Sequence, residues 1–100
     1  MKVELEVEEA TNRLGADILT QMMLYGQRKN LGNPIQWFCL RLKYKAANLL
    51  YRRLKNGDIG EMKVRDIYTI CAIIKGIPDD KIDTYVDFEM QKLSRELINV

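Results

Sequence analysis

Glycine and proline divide this 100-residue chain into four segments. Both residue types disfavour the interior of helices and strands, so each segment between them predicts one regular element or a short run of elements. The divisions fall at three pairs of positions: Gly32 with Pro34, Gly57 with Gly60, and Gly76 with Pro78.

Apolar residues in all four segments recur at intervals of three and four, which is the helical period. This spacing predicts helices over about residues 8–27, 34–55, 64–75 and 79–98. Two strand alternatives stay open: an extended lead where Val3, Leu5 and Val7 alternate with Glu, and a buried strand in the β-branched third segment. We expect an all-α fold, a single compact domain of four to five helices over residues 1–100.

The second segment has the clearest amphipathic pattern. Asn33 before Pro34 predicts a capped helix start, and Asn56-Gly57 predicts its end. At about 100° per residue, its apolar residues cluster within about 120° of arc, and polar residues occupy the opposite side. The apolar face contains Ile35, Phe38, Cys39, Leu42, Ala46, Leu49 and Leu50, and the opposite face contains Arg41, Lys45, Asn48, Arg52 and Lys55.

The net charge of +2 conceals a basic middle and acidic flanks. Residues 28–65 contain ten Lys or Arg and two acids, whereas the rest of the chain contains six Lys or Arg and twelve acids. Residues 33–57 contain no Asp or Glu at all. A merely solvated helix usually mixes the two signs, so this distribution predicts a surface that binds a polyanion.

Catalytic and metal-binding chemistry has little support in the sequence. The chain has no His, so general acid–base catalysis and a zinc site both lack their usual side chain. Cys39 and Cys71 predict two buried reduced thiols, with a disulfide as the alternative. The string Asp79-Asp80-Lys81-Ile82-Asp83 has the DDxxD form that binds magnesium in prenyl-transfer enzymes, but an acidic helix N-terminus explains it better. We expect no enzyme activity and no cofactor.

The sequence also predicts a cytoplasmic protein. Residues 1–9 contain four Glu and one Lys, unlike a secretory signal. The longest stretch without a charged residue, residues 30–40, is too short to span a bilayer.

Cations and one amide of the second segment are the candidate nucleic-acid contacts. A line of cations along a helix can meet successive phosphates, and an Asn can read an adenine edge in the major groove. Lys63 and Arg65 could flank this line, and Tyr44 and Tyr51 could contact the backbone or stack on bases. The candidate residues are Arg41, Lys43, Lys45, Asn48, Arg52, Arg53 and Lys55.

Residues 38–49, FCLRLKYKAANL, resemble the helix-turn-helix of phage-repressor and Cro-type DNA-binding domains. The matching features are an apolar then a small residue (Phe38, Cys39), Leu42 near the end of the first helix, and apolar residues at Tyr44 and Leu49. Lys43 stands at the turn, where the family favours Gly. With residues 13–27 similar to a first helix and residues 64–78 to a fourth, the resemblance covers about residues 13–85.

The resemblance implies that Lys45, Asn48, Arg52 and Lys55 face the DNA groove. We expect a transcriptional regulator, and many such proteins are dimers because two half-sites multiply affinity and specificity. A single continuous helix over residues 34–55 explains the same apolar pattern and exposes the same side chains, so both alternatives stay open. The last helix is the expected place for a dimer seam, with Tyr85, Phe88, Met90 and Leu97, and the alternative is that these residues all belong to the core.

A second function class is also open. A small helical protein-interaction module, such as an inhibitor or an immunity-type bundle, could bind a charged protein partner through the same basic face or through the acidic last helix. Binding to an anionic membrane is disfavoured, because the apolar face of the second segment is needed for the core.

Overall fold

The computed structural model of the protein describes residues 2–55 and 62–98, with the side chains of the first helix described from Arg13 onward. The described residues form five α-helices and a short 3-10 turn. The predicted all-α class with four to five helices is therefore confirmed. The elements are α1 (Lys2–Arg28), α2 (Pro34–Leu42), α3 (Ala47–Lys55), α4 (Val64–Lys75), the 3-10 turn (Asp79–Lys81) and α5 (Ile82–Ile98).

The first helix begins earlier than its sequence pattern predicts. Helix α1 starts at Lys2, so the prediction of an extended lead before residue 8 is wrong. Val3 and Val7 are four residues apart and therefore also share one face of a helix. The alternation of Val, Leu and Glu suits both periods, and Leu and Glu are good helix formers.

The second segment is two helices and not one. Helix α2 ends at Leu42 because Lys43 adopts the left-handed conformation, with φ of 60°. The N–H of Lys43 bonds to the carbonyl of Leu40 at 3.3 Å, and that of Tyr44 bonds to the carbonyl of Cys39 at 3.0 Å. This pair of bonds is the Schellman arrangement that ends many helices. Of the two alternatives for residues 34–55, the single continuous helix is therefore wrong.

Contacts between residues divide the chain into two units, Met1–Lys63 and Val64–Val100. In the first unit, α1 packs against both α2 and α3, and α2 packs against α3. Its buried apolar side chains come from all three helices. They include Ile18 and Met22 from α1, Phe38 and Cys39 from α2, and Leu50 and Leu54 from α3. The single domain over residues 1–100 stays a prediction.

Two glycines of α1 permit these contacts. A β-carbon on Gly15 would overlap the carbonyl oxygen of Leu54, so the backbones of α1 and α3 touch there. A β-carbon on Gly26 would overlap the ring of Pro34, at the start of α2. Both glycines are buried. They are therefore packing residues, and not merely weak points in the helix.

In the second unit, α4 packs against α5. Ile70, Ala72 and Ile73 of α4 and Ile82 and Val86 of α5 are buried. The strand alternative for the third segment is therefore wrong. Three of its β-branched side chains, Thr69, Ile70 and Ile73, are buried, and this burial offsets their weak helix propensity.

Candidate nucleic-acid interface

Helix α3 has one buried side and one exposed side. Leu50 and Leu54 are fully buried. Asn48, Arg52 and Lys55 are exposed, and at about 100° per residue they lie within roughly 60° of one another, on the side opposite the two leucines. The side that faces solvent is therefore the polar and cationic one.

The turn before α3 adds two further cations. Lys43 and Lys45 are both exposed, and they lie between α2 and α3. Together with the exposed side of α3 they form what we call the basic surface, which consists of Lys43, Lys45, Asn48, Arg52 and Lys55.

The charges of the basic surface are not compensated within the described residues, where none of its four cations forms an ion pair. The sequence explains why, because residues 33–57 contain no carboxylate that could pair locally. Uncompensated cations that project from one helix and the turn before it produce a positive potential, which attracts a polyanion.

Two predicted contact residues lie outside this surface. Arg41 belongs to α2 and Arg53 to α3, and both side chains are half-buried. The guanidinium of Arg53 lies 5.8 Å from the centre of the Tyr44 ring, a cation–π distance. The prediction that Arg41, Lys45, Asn48, Arg52 and Lys55 follow one line of a single helix is wrong, because the turn at residues 43–46 interrupts that line.

The two tyrosines near the basic surface already contact cations. Tyr44 is half-buried beneath Arg53. Tyr51 is 38% exposed, with the ammonium of Lys55 at 5.3 Å from its ring centre. One face of each ring is thus occupied. Stacking of a base on either ring stays a prediction.

An open cleft adjoins the basic surface, between α2 and α3, with a volume of about 480 Å³. Lys45 and Asn48 line it together with Gln36 and Leu40 of α2. Leu40 is 67% exposed, although it belongs to a helix with a buried face. Sequence reasoning missed this cleft because the cleft exists only where the chain turns between the two helices.

The cations at the start of α4 differ in their surroundings. Lys63 is exposed. Arg65 donates a hydrogen bond to Asp87 and lies 3.7 Å from Asp83, both on α5. The hydrogen bond to Asp87 is the main reason why the pKa of Arg65 is raised. The charge of Arg65 is therefore compensated within the second unit.

The acidic string and the cysteines show no metal-binding arrangement. Asp79 and Asp80 lie in the 3-10 turn and Asp83 in the first turn of α5. Across residues 2–55 and 62–98, no group of three or more His, Cys, Asp or Glu side chains is placed to hold a metal ion. Cys39 and Cys71 are both free thiols, so the disulfide alternative is wrong. Cys39 is buried as predicted, whereas Cys71 is only half-buried.

The residues of the predicted dimer seam lie on different sides of α5. Phe88 is 58% exposed and Leu97 is 69% exposed. They are nine residues apart, which places them on opposite sides at about 100° per residue. Tyr85 is half-buried and accepts a hydrogen bond from Lys75 at 2.9 Å, and Met90 is half-buried. One flat seam cannot use all four side chains.

No protein-family model matches the chain, and comparisons with known proteins and with solved structures find no match either. Among the residues described, no helix combines the length and the apolar composition needed to cross a membrane.

Proposed function

We propose that the protein is a non-enzymatic DNA-binding protein of the cytoplasm, of the kind that regulates transcription, and that the basic surface contacts the DNA. One observation carries the proposal. Four exposed cations project from α3 and the turn before it, and the chain places no acid among residues 33–57.

The dimensions of α3 suit duplex DNA. Asn48 and Lys55 are separated by seven residues, or about 10 Å along the helix axis. An α-helix with its side chains is about 10–12 Å wide, which fits the major groove, about 12 Å wide. Lys45, Arg52 and Lys55 would bind phosphates, and Asn48 would contact the edge of an adenine.

Charge reversal on α3 tests the proposal. We expect the wild-type protein to bind a labelled 20-base-pair duplex of random sequence in 50 mM salt, measured by fluorescence anisotropy. The double variant Arg52→Glu with Lys55→Glu should lose this binding, because it replaces two attractive charges with two repulsive ones. Circular dichroism should show unchanged helicity, since both side chains are exposed.

A matched control carries the same change of charge elsewhere. Lys92 and Arg95 are exposed on α5, and the double variant Lys92→Glu with Arg95→Glu alters the net charge by the same amount. The control should retain most of the binding. Equal losses in the two double variants would mean that only net charge matters, and absence of wild-type binding at low salt would refute the proposal.

The cleft supports a second candidate, a module that binds an acidic protein. Leu40 is a large apolar side chain at 67% exposure, and it lines the cleft beside Lys45. An exposed apolar side chain beside a cation offers an acidic protein both an apolar contact and a complementary charge. Leu40→Ser should weaken binding to such a partner, whereas phosphate contacts on α3 should tolerate it.

If the protein works as a dimer, α5 is the proposed seam, with Phe88 or Leu97 at its centre. Light scattering coupled to gel filtration would measure the mass of the wild type and of the variants Phe88→Lys and Leu97→Lys. The variant that converts a dimer to a monomer identifies the side of α5 that forms the seam. A monomeric wild type would exclude the seam.

A further inference from the structure

Three helices in the described residues end in the same way. A residue with left-handed backbone follows each of them: Asn30 after α1 (φ 55°), Lys43 after α2 (φ 60°) and Gly76 after α4 (φ 85°). At each end, the left-handed residue and the residue after it donate backbone hydrogen bonds to carbonyls in the last turn. The three ends are therefore comparable Schellman arrangements.

The three residues differ in how easily they adopt this backbone. Glycine has no β-carbon and reaches a positive φ at no steric cost, and Asn tolerates it through its short polar side chain. Lysine has neither property, so its β-carbon crowds the following carbonyl oxygen. Lys43 is thus the most strained of the three helix ends.

Within the described residues, the side chain of Lys43 forms no polar contact that would offset this strain. It is exposed. Among residues 2–55 and 62–98 it forms no hydrogen bond and no ion pair. Strained residues of this kind concentrate at binding sites, where a contact outside the fold gives the side chain its role. Lys43 lies in such a place, in the turn that leads into α3 and beside Lys45.

We propose that Lys43 is a phosphate-binding residue, held in a strained conformation so that its ammonium reaches the nucleic-acid backbone; this inference rests on the proposed function. An ammonium is a compact charge on a flexible stem, and it binds a phosphate oxygen without the fixed geometry that an arginine needs. A contact to the phosphate contributes affinity but carries no information about base sequence.

Replacing Lys43 with glycine tests the strain and the charge by two separate measurements, thermal stability and DNA affinity. Lys43→Gly removes the strain and the charge together, so the protein should become more stable and bind DNA less well. We expect the Tm to rise by about 4 °C or more. Affinity for duplex DNA near 0.1 M salt should fall roughly two- to fivefold, by a similar factor for different sequences. The slope of log K against log salt should become shallower by about 0.9.

Three further variants serve as controls. Lys43→Asn also relieves strain and removes the charge, so it should behave like Lys43→Gly. Lys43→Arg keeps both the strain and the charge, so its Tm and its affinity should stay close to those of the wild type. Asn30→Gly relaxes the comparable end of α1 without changing a charge, and it should leave both the affinity and the salt slope unchanged.

The outcomes are distinct. If Lys43→Gly binds as tightly as the wild type with the full salt slope, Lys43 is merely tolerated and the inference fails while the proposed function survives. If Lys43→Gly does not raise the Tm, the strain on which the inference depends is absent. If the wild type does not bind duplex DNA at low salt, the proposed function and the inference both fail.

Discussion

At the scale of single residues, Gly15 shows how one absent side chain positions two helices. In the sequence it is a glycine inside a helical pattern, which predicts only a weaker helix. In the structure it lies against the carbonyl of Leu54, where no β-carbon fits. Nothing in the sequence near Gly15 indicates this contact, because the contacting residue is 39 positions away.

Gly15→Ala should therefore destabilise the protein despite alanine's better helix propensity. The propensity gain is about 1 kcal/mol, whereas crowding against a backbone atom costs about 1–3 kcal/mol, so we expect a net loss of up to about 2 kcal/mol. Urea denaturation would measure it. Gly32→Ala is the control, because a β-carbon there meets nothing within 4 Å and should leave stability nearly unchanged. Equal effects of the two substitutions would contradict the packing role of Gly15.

Cys71 gives a prediction about alkaline pH. Burial raises the pKa of its thiol, although the nearby Lys75 opposes part of the rise. The folded protein therefore holds the thiol proton more tightly than the unfolded chain, and the resulting stability is lost as the pH rises through the folded-state pKa. The urea midpoint should decrease more between pH 7 and pH 10 for the wild type than for Cys71→Ser. The same decrease in both proteins would argue against this linkage.

At the scale of elements, the turn between α2 and α3 is the feature that periodicity concealed. Phe38, Leu42, Ala46, Leu50 and Leu54 follow one another at intervals of four, as they would on a single helix. The structure buries Phe38, Leu50 and Leu54, but it places Ala46 in the turn, where it is exposed. The four-residue interval between apolar residues continues from α2 into α3 because the number of residues in the turn does not disturb it.

Apart from the helix-turn-helix resemblance, which puts a turn at Lys43, local residue chemistry gave no signal for this turn. A helix that ends in a left-handed residue usually carries Gly or Asn there, and this one carries Lys43. By contrast, the start of α2 was predictable, because Asn33 accepts the backbone N–H of Gln36 as a capping residue should. Which side of α3 faces solvent was also predictable, since Leu50 and Leu54 lie opposite Arg52 and Lys55 whether or not the chain turns.

The contact between α4 and α5 yields a prediction about salt. Arg65 bonds to Asp87, but both side chains are largely exposed, at 42% and 56%. Such pairs contribute little to stability and are screened by salt. Arg65→Gln should lower the Tm by a few degrees at most, and the difference should disappear in 1 M NaCl. A large loss that persists in high salt would mean that Arg65 acts by packing.

At the scale of the whole molecule, the uneven distribution of charge matters more than the total of +2. The sequence already revealed the basic middle, because counting charges needs no structure. It did not reveal which cations are compensated, because Arg65 meets Asp87 only across two helices. The division into two units was also beyond the sequence, since it depends on contacts between distant residues.

The salt dependence of DNA binding should report the number of cations in contact. Four phosphate contacts by Lys43, Lys45, Arg52 and Lys55 predict a log–log slope of about −3 to −4, because each releases about 0.9 of a counterion. A dimer that contacts two half-sites should give roughly −7. Anisotropy titrations between 50 and 300 mM salt would measure the slope. A slope near zero would contradict the predicted contacts to phosphates.

The spacing of the two buried glycines limits how α1 can change in length. Gly15 and Gly26 are eleven residues apart, which is close to three full turns, so both fall on the same side of α1 at points about 16 Å apart. Inserting or deleting one residue between them would rotate one glycine away from its neighbour by about 100° and bring a side chain into its place. This stretch should accept many changes of residue identity, yet almost no change in residue number.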